Sequence, residues 1–394
     1  MPSLLTHHPL KALYALFATA LEAFRLPLYI VLYLLPSARP HPKWTYKQAV
    51  LIKLLKTFLH HAARIEIRMP LSLKPGREGE RFVVMRAPEK EVLEKLYFGP
   101  LKDPHGEIVP GELGGTWYPS AYPSSSSKNA SSEGKDTEDV VLYVHGGAFV
   151  LGTGRIYECG FIVSALLRHA GVHRVFCPQY RLAGRPLNAR FPAALQDVLT
   201  SYLYLTRELG IPAKRVIVSG DSAGGNVAIG LLRYLAEYGA ELDLESPAAA
   251  LLWSPWVDPA AAVDPARFKQ NPNYPTDFVP AVFLAWGIRC FSGRDEATGK
   301  PKLDPSNKYI TPLGRPFKTP TPLWVQTGGA EVLCAEDCKF AEEMREENDG
   351  HVGLWVEEGA VHGIALAGPS AGFAREAEAC VRRAREWLGG NRRV

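Results

Sequence analysis

Cysteine and methionine are scarce in this chain, with six and four residues respectively among 394. The cysteines have neither the spacing of a disulfide framework nor that of a zinc site. They are Cys159, Cys177, Cys290, Cys334, Cys338 and Cys380. Their scarcity argues against a disulfide-stabilised secreted domain and favours reduced thiols in a cytosol-facing protein.

Strong net charge is also lacking, since the whole chain carries only +4. No recognisable nucleic-acid motif is present, so nucleic acid is not expected as a partner. The charge is uneven: residues 1–68 carry nine lysines and arginines against two glutamates, a net of +7, which leaves −3 for the remainder. This basic segment suggests that residues 10–56 associate with an anionic membrane surface.

An uninterrupted apolar run of membrane-spanning length is absent as well. Residues 10–35 are strongly apolar, but Glu22, Arg25 and Pro27 interrupt them, and no small-residue cleavage site follows. Neither a good transmembrane helix nor a cleaved signal peptide is therefore expected.

The stretch instead predicts two short helices, Ala12–Leu21 and Leu26–Leu35, lying in a membrane interface. The alternative is that residues 1–63 form a helical segment that caps a pocket of the folded domain. Membrane association and capping are compatible with each other. We expect an intracellular protein associated with the endoplasmic reticulum or another membrane, with a cytoplasmic location as the alternative.

Short apolar runs and helical patterns alternate along most of the chain, most regularly from residue 140 onward. The predicted strands are Ile65–Met69, Arg81–Arg86, Gly115–Tyr118, Val140–Val144, Arg174–Pro178, Val216–Ser219, Ala249–Trp253, Leu323–Gln326 and Gly353–Val356. The predicted helices are Gln48–His61, Tyr157–His169, Ala193–Leu209, Gly225–Tyr238, Ala335–Glu347 and Ser370–Leu388. Such alternation predicts an α/β fold with a mostly parallel sheet and helices on both faces.

Two segments break this pattern. Residues 258–320 are rich in proline and aromatic residues, which favours a cap inserted into a domain built from residues 64–257 and 321–394. Residues 119–139 are rich in serine and proline and predict a flexible surface loop, which contains a glycosylation sequon at Asn129.

The strongest chemical signal is the pentapeptide Gly220-Asp221-Ser222-Ala223-Gly224, placed between an apolar run and a helical pattern. Small residues allow a serine to occupy a strained strand-to-helix turn that exposes its hydroxyl. The pentapeptide is common on its own, so the assignment depends on finding a base, an acid and oxyanion donors elsewhere.

Oxyanion donors are predicted in the sequence His-Gly-Gly-Ala-Phe, residues 145–149, directly after a predicted strand. Glycine leaves the backbone N–H groups of Gly146 and Gly147 free to point into a cavity. The N–H of Ala223, next to the serine, is the third expected donor. An ordinary Gly-Gly turn is the simpler alternative.

His362 is the predicted base, because it follows the last predicted strand among small residues. His351 precedes that strand, and active sites of parallel sheets form at the carboxyl ends of strands. Glu331, in the loop after the preceding strand, is the predicted acid, with Glu336 and Asp337 as rivals within the next helix.

Residues 139–390 resemble the hormone-sensitive lipase branch of the α/β-hydrolase superfamily. The resemblance rests on His-Gly-Gly-Ala-Phe at 145–149 and Gly-Asp-Ser-Ala-Gly-Gly at 220–225, supported by Tyr-Arg-Leu-Ala at 180–183, Phe-Pro-Ala-Ala at 191–194 with Asp197, and Ser-Pro-Trp-Val-Asp at 254–258. It implies an α/β-hydrolase fold with a helical cap and a carboxylic-ester hydrolase with the triad Ser222, His362 and Glu331. Such relatives usually have Asp where this chain has Glu331.

The implied reaction is hydrolysis of short-to-medium acyl esters through an acyl-enzyme, with no metal or organic cofactor. Phe149, Trp256, Phe283 and Trp286 are candidate pocket residues, although core packing explains each equally well. With the basic, apolar N-terminus, the resemblance to arylacetamide deacetylase and fungal sterol deacetylases suggests small-molecule acetyl esters of lipophilic alcohols as substrates.

Two other functions stay open at this point. An amidase would use the same triad. A non-catalytic receptor can be built on the same scaffold, as in the gibberellin receptors, but those lack the histidine found here at His362. The sequence leaves the oligomeric state undetermined.

Overall fold

The computed structural model describes residues 4–123, 138–295 and 297–392. Most of the predicted serine-rich loop, including the Asn129 sequon, lies outside the described residues.

An eight-stranded sheet lies at the centre of the fold. Its strands are β1 (Phe82–Met85), β2 (Leu113–Tyr118), β3 (Val140–Val144), β4 (Arg174–Gln179), β5 (Val216–Asp221), β6 (Ala249–Trp253), β7 (Leu323–Gly328) and β8 (Val352–Glu357). Their spatial order is β1-β2-β4-β3-β5-β6-β7-β8. The strands from β3 to β8 run parallel, while β2 is antiparallel to both β1 and β4. The predicted mostly parallel α/β sheet is confirmed.

The central strands are apolar because both of their faces are covered. Every residue of β3, β5 and β6 is buried. A parallel sheet sandwiched between helices buries alternate side chains on opposite faces, so a strand of this kind has no polar face. The carboxyl ends of β5, β7 and β8 consequently meet at one edge, where the loops carrying Ser222, Glu331 and His362 begin.

The helices cover the sheet and extend beyond it. Their bounds are α1 (Leu10–Leu32), α2 (Tyr46–Arg64), α3 (Lys90–Leu96), α4 (Ile156–Ala165), α5 (Ala193–Leu203), α6 (Ser222–Leu242), α7 (Pro265–Lys269), α8 (Ala281–Phe291), α9 (Cys334–Glu347), α10 (Ile364–Ala371) and α11 (Ala374–Asn391). Two π-helical turns, Leu166–Ala170 and Tyr204–Glu208, extend α4 and α5 to about the predicted ends.

Three sequence predictions about local structure are wrong. The N-terminal stretch forms the single helix α1, because Pro27 removes only one backbone donor and α1 packs on α2 on both sides of it. Residues 65–69 form no strand; the N–H of Met69 donates instead to the carbonyl of Arg185. The last predicted helix is divided in two at Gly372, whose φ is +84°.

The predicted cap insertion, residues 258–320, carries the helices α7 and α8. Helix α8 packs against α2 of the N-terminal segment. Helix α8 also lies close to the turn after β3. A Cβ added to Gly287 of α8 would stand 2.5 Å from the carbonyl oxygen of Ala148 in that turn. The insertion and the N-terminal helices therefore pack together over the edge of the sheet where the candidate site lies.

Candidate active site

Ser222 lies at a strained junction between a strand and a helix. It is the first residue of α6, directly after β5, and its φ of +51° places it in the left-handed region. Its neighbours must be small, since a Cβ on Gly224 would stand 2.1 Å from the carbonyl oxygen of Val144. This is the strand-to-helix turn that the pentapeptide predicts.

The imidazole of His362 lies within hydrogen-bond distance of that hydroxyl. Its Nε2 is 2.8 Å from Ser222 Oγ, and both side chains are buried. His362 reaches the serine from the loop after β8, whereas its rival His351 is exposed before that strand. The pair has the geometry of a nucleophile and its general base.

Glu331 lies behind the imidazole, fully buried. Its Oε1 is 3.5 Å from His362 Nδ1, and within the described residues neither atom has a hydrogen-bond partner at a shorter distance. Its other oxygen, Oε2, accepts hydrogen bonds from Ser254 Oγ at 2.6 Å and from the N–H of Gly328 at 2.9 Å. At 3.5 Å the histidine contact is longer than an ordinary hydrogen bond.

The charges around His362 raise the pKa of its imidazole. Burial lowers the pKa of the imidazole, but the carboxylates of Glu331, Asp277 and Asp221 outweigh burial and raise that pKa above its ordinary value. An imidazolium formed during proton transfer would therefore be stabilised by three nearby carboxylates.

Asp337, a predicted rival for the acid, points elsewhere. Its Oδ2 accepts a hydrogen bond from Thr327 Oγ1 at 2.9 Å. Burial and the neighbouring Glu331 raise the pKa of Asp337 well above its usual range. Glu336 lies on the same helix, and burial raises its pKa too.

Two polar residues without a predicted role, Ser254 and Asp277, link the loops that carry Glu331 and His362. Ser254 Oγ donates to Glu331 and accepts from the N–H of Gly363 at 3.0 Å. Asp277 accepts from the N–H groups of His362 and Val332, at 3.3 Å and 2.9 Å. Ser254 lies in one of the motifs noted in the sequence, but Asp277 gave no signal because it lies in the irregular insertion.

The predicted oxyanion turn needs one correction. The N–H of Gly146 donates to Asp221 Oδ1 at 2.9 Å, and this carboxylate oxygen also accepts from Tyr143 Oη at 2.6 Å. Gly146 is therefore not a free donor. In the described part of the chain no acceptor is found for the N–H of Gly147 or Ala148, which leaves these two groups available beside the helix N-terminus at Ala223.

The carboxyl group of Asp221 is buried beneath this turn. Burial raises its pKa to about 6, although the hydrogen bonds from Tyr143 and Gly146 oppose that shift. Through its hydrogen bonds Asp221 thus holds the turn after β3, while its charge also acts on His362. Its position inside the pentapeptide does not reveal the first of these roles.

All four predicted pocket aromatics are buried. Phe149 stacks on Phe291 with ring centroids 3.7 Å apart and on Trp256 at 5.5 Å, as core residues do. Phe283 and Trp286 form an edge contact within α8. Their lining of a pocket stays a prediction. An aromatic side chain of the insertion that does lie beside the site is Phe278, whose ring is 6.1 Å from that of His362.

Comparison with known proteins places this geometry in a family. A family model described as the alpha/beta hydrolase fold matches residues 141–366, more than half of the chain. A structure of an esterase from the bacterial hormone-sensitive lipase family covers 93% of this chain and 98% of its own, with a TM-score of 0.54 and 22% identity.

Curated relatives extend the comparison to sequence. An acetyl-hydrolase of Streptomyces hygroscopicus is 35% identical over 60% of this chain and 68% of its own. The putative acetyl-hydrolase LipR of Mycobacterium tuberculosis is 27% identical over 56% of this chain and 65% of its own. The chain thus spans about two thirds of the length of these relatives. It belongs to the alpha/beta hydrolase fold family.

Proposed function

We propose that this protein is a serine carboxylesterase that hydrolyses short-to-medium acyl esters through an acyl-enzyme. The observation that carries the proposal is the buried Ser222–His362 contact of 2.8 Å with Glu331 behind it. A serine hydroxyl is a weak nucleophile, and this arrangement supplies both the base and the group that orients it.

In the proposed reaction Ser222 Oγ attacks the ester carbonyl while His362 Nε2 takes the hydroxyl proton. Glu331 orients the imidazole and stabilises the imidazolium. The protonated histidine then gives its proton to the leaving alcohol. Water, activated by the same histidine, releases the acid and restores the serine.

The oxyanion of each tetrahedral intermediate is proposed to accept from Gly147, Ala148 and Ala223. Among the described residues the first two N–H groups have no acceptor. The third lies at the N-terminus of α6, where backbone donors are not used within the helix. Gly146 supports this turn through Asp221 and is not a member of the donor set.

For the substrate we propose small acyl groups, acetyl above all, on lipophilic alcohols. Two sequence relatives are named as acetyl-hydrolases, and a third, from Pseudomonas putida, is named as an ethyl acetate hydrolase and matches 30% of this chain and 35% of its own. The apolar N-terminal region favours association of residues 10–56 with a membrane surface. A protein at a membrane surface meets esters of lipophilic alcohols, which favours such an alcohol group in the substrate.

A panel of p-nitrophenyl esters from acetyl to decanoyl, beside the matching anilides, tests this proposal. We expect the highest kcat/KM on the shorter esters, little cleavage of the anilides, and no turnover by Ser222→Ala. Turnover retained by a folded Ser222→Ala would refute the mechanism, and preference for the anilides would make the protein an amidase.

A further inference from the structure

Helix α1 turns polar side chains toward the protein. Lys11 Nζ donates to the carbonyl of Glu66 at 3.1 Å, and Tyr14 Oη lies 2.8 Å from His61 Nδ1. Glu22 reaches the other nitrogen of His61 at 3.5 Å. The inward face of α1 is thus held to α2 and the loop after it by hydrogen bonds and charge.

These contacts continue along the whole helix. Ala18 and Tyr33 are buried, and the Lys53 ammonium lies 4.5 Å from the centre of the Tyr29 ring. A helix of 23 residues is about 35 Å long. Because contacts occur near both of its ends, α1 lies lengthwise against α2 rather than projecting from it.

The outward face of α1 is apolar. Leu16, Phe17 and Phe24 are 69%, 64% and 77% exposed. More than half of the large apolar side chains that are exposed in the described residues lie between Leu4 and Leu35. We call six of them the lipid face: Leu13, Leu16, Phe17, Phe24, Leu28 and Val31.

This polarity is the reverse of a soluble helix, which turns its apolar stripe to the core and its charges to water. Only three charged residues occur in α1, and Lys11 and Glu22 both point inward. The third, Arg25, pairs with Glu22 at 3.0 Å. An exposed apolar strip of this length indicates a surface that is covered in use.

A basic cavity of 340 Å³ lies at the start of the helix. It is lined by Thr6, His7, His8, Lys11, Ile67 and Arg68, with no carboxylate among them. Burial and then the positive charges of Arg68 and Arg185 lower the pKa of Lys11, while Glu66 opposes that shift. A cavity of this charge fits an anionic group.

We propose that α1 lies flat in the surface of an anionic bilayer, with the lipid face in one leaflet and a headgroup phosphate in the basic cavity. The flat placement of α1 rests on the proposed membrane association. It adds which face of the helix enters the bilayer, how the helix is oriented and which lipid charge is preferred. The helix is long and apolar enough to cross a membrane. Crossing would either carry its partners on α2 into hydrocarbon or break every contact that holds it, so the flat orientation is preferred.

The docked helices are joined to the candidate active site. Lys56 of α2 donates to the carbonyl of Tyr274 and stands 4.1 Å from the centre of that ring. Asp277, three residues further on, contacts the backbone of His362. The insertion over the triad is thereby fixed to the helices on the membrane, which suits esters dissolved in the bilayer.

Vesicle flotation of the full chain tests the proposal, with phosphatidylcholine alone and with 30% phosphatidylserine. Phe17→Asp combined with Leu28→Asp should weaken binding at least about 100-fold, because two large apolar side chains leave the leaflet. Arg68→Gln should lower the preference for anionic vesicles about fivefold. Val109→Asp and Lys339→Gln, both exposed outside α1 and α2, are the matched controls and should bind as the wild type.

Orientation is read from depth-dependent nitroxide quenching of a fluorescent amino acid placed at Leu13, Phe24 or Val31 in turn. Equal shallow depths support the flat helix, and a deep Phe24 between two shallow ends overturns it. Unchanged flotation of the double Asp variant overturns the lipid face, and an unchanged Arg68→Gln overturns the headgroup site. Hydrolysis of soluble p-nitrophenyl acetate without vesicles is measured in parallel, so loss of the proposed esterase function would be seen separately from loss of docking.

Discussion

Asp277 accepts a hydrogen bond from the backbone N–H of His362 at 3.3 Å, although the two residues are 85 positions apart in the chain. Its second oxygen accepts from the N–H of Val332, next to Glu331. One carboxylate of the insertion therefore joins the loop that carries the proposed base to the loop that carries the proposed acid. The insertion thus helps to position these two loops.

Asp277→Asn should lower kcat between about 10-fold and 100-fold with little change in KM. The asparagine amide nitrogen cannot accept a backbone hydrogen bond, so one of the two loops is released, and small displacements of catalytic groups are costly. Steady-state kinetics on p-nitrophenyl acetate measure the effect. Asp304→Asn removes an exposed carboxylate of the same insertion and is the control. A variant with normal kcat and raised KM would mean that Asp277 shapes the pocket instead.

Glu331→Gln should lower kcat by about 10³-fold, since an amide can hold the imidazole in the wrong tautomer and cannot stabilise the imidazolium. Asp337→Asn should change kcat less than about threefold, because the carboxyl of Asp337 is hydrogen-bonded to Thr327 rather than to His362. Burst kinetics and thermal unfolding of both variants separate loss of catalysis from loss of fold. The reverse ranking of the two variants would assign the acid to Asp337.

The regular part of the fold could be predicted from sequence because its signals are local. Buried parallel strands such as β3 and β5 are continuous apolar runs, and the glycines around Ser222 are required by one strained turn. A single geometric rule favours His362 over His351 as the base. Active sites of parallel sheets form at the carboxyl ends of strands, and His362 follows the last strand whereas His351 precedes it. Local pattern is sufficient for the sheet, and that rule adds the predicted chain order of Ser222, Glu331 and His362.

The remaining features depend on contacts that no local pattern encodes. Gly146 has the sequence of an oxyanion donor, but the side chain of Asp221, 75 positions away, occupies its N–H. Pro27 predicts a break in the N-terminal helix, but α1 continues through it and packs on α2. Asp277 lies in an irregular segment, so only the fold brings it to His362.

Tyr143→Phe should lower the free energy of unfolding by about 2 kcal/mol, because it removes a donor from the fully buried Asp221 carboxyl group. Urea denaturation measures this change. Tyr202→Phe, which loses a hydrogen bond to the carbonyl of Glu245, is the matched control and should cost about 1 kcal/mol. Equal losses in the two variants would contradict the role given to Asp221 beneath the oxyanion turn.

The pH dependence of kcat/KM should show an acidic limb with its midpoint above 6.5, the ordinary pKa of histidine. His362 acts as a base only when neutral, and nearby carboxylates raise its pKa despite burial, so falling pH protonates it early. Asp277→Asn removes one of those carboxylates and should move the midpoint to lower pH, while Asp304→Asn leaves it in place. A midpoint that does not move in Asp277→Asn would mean that this carboxylate acts only through the backbone of His362.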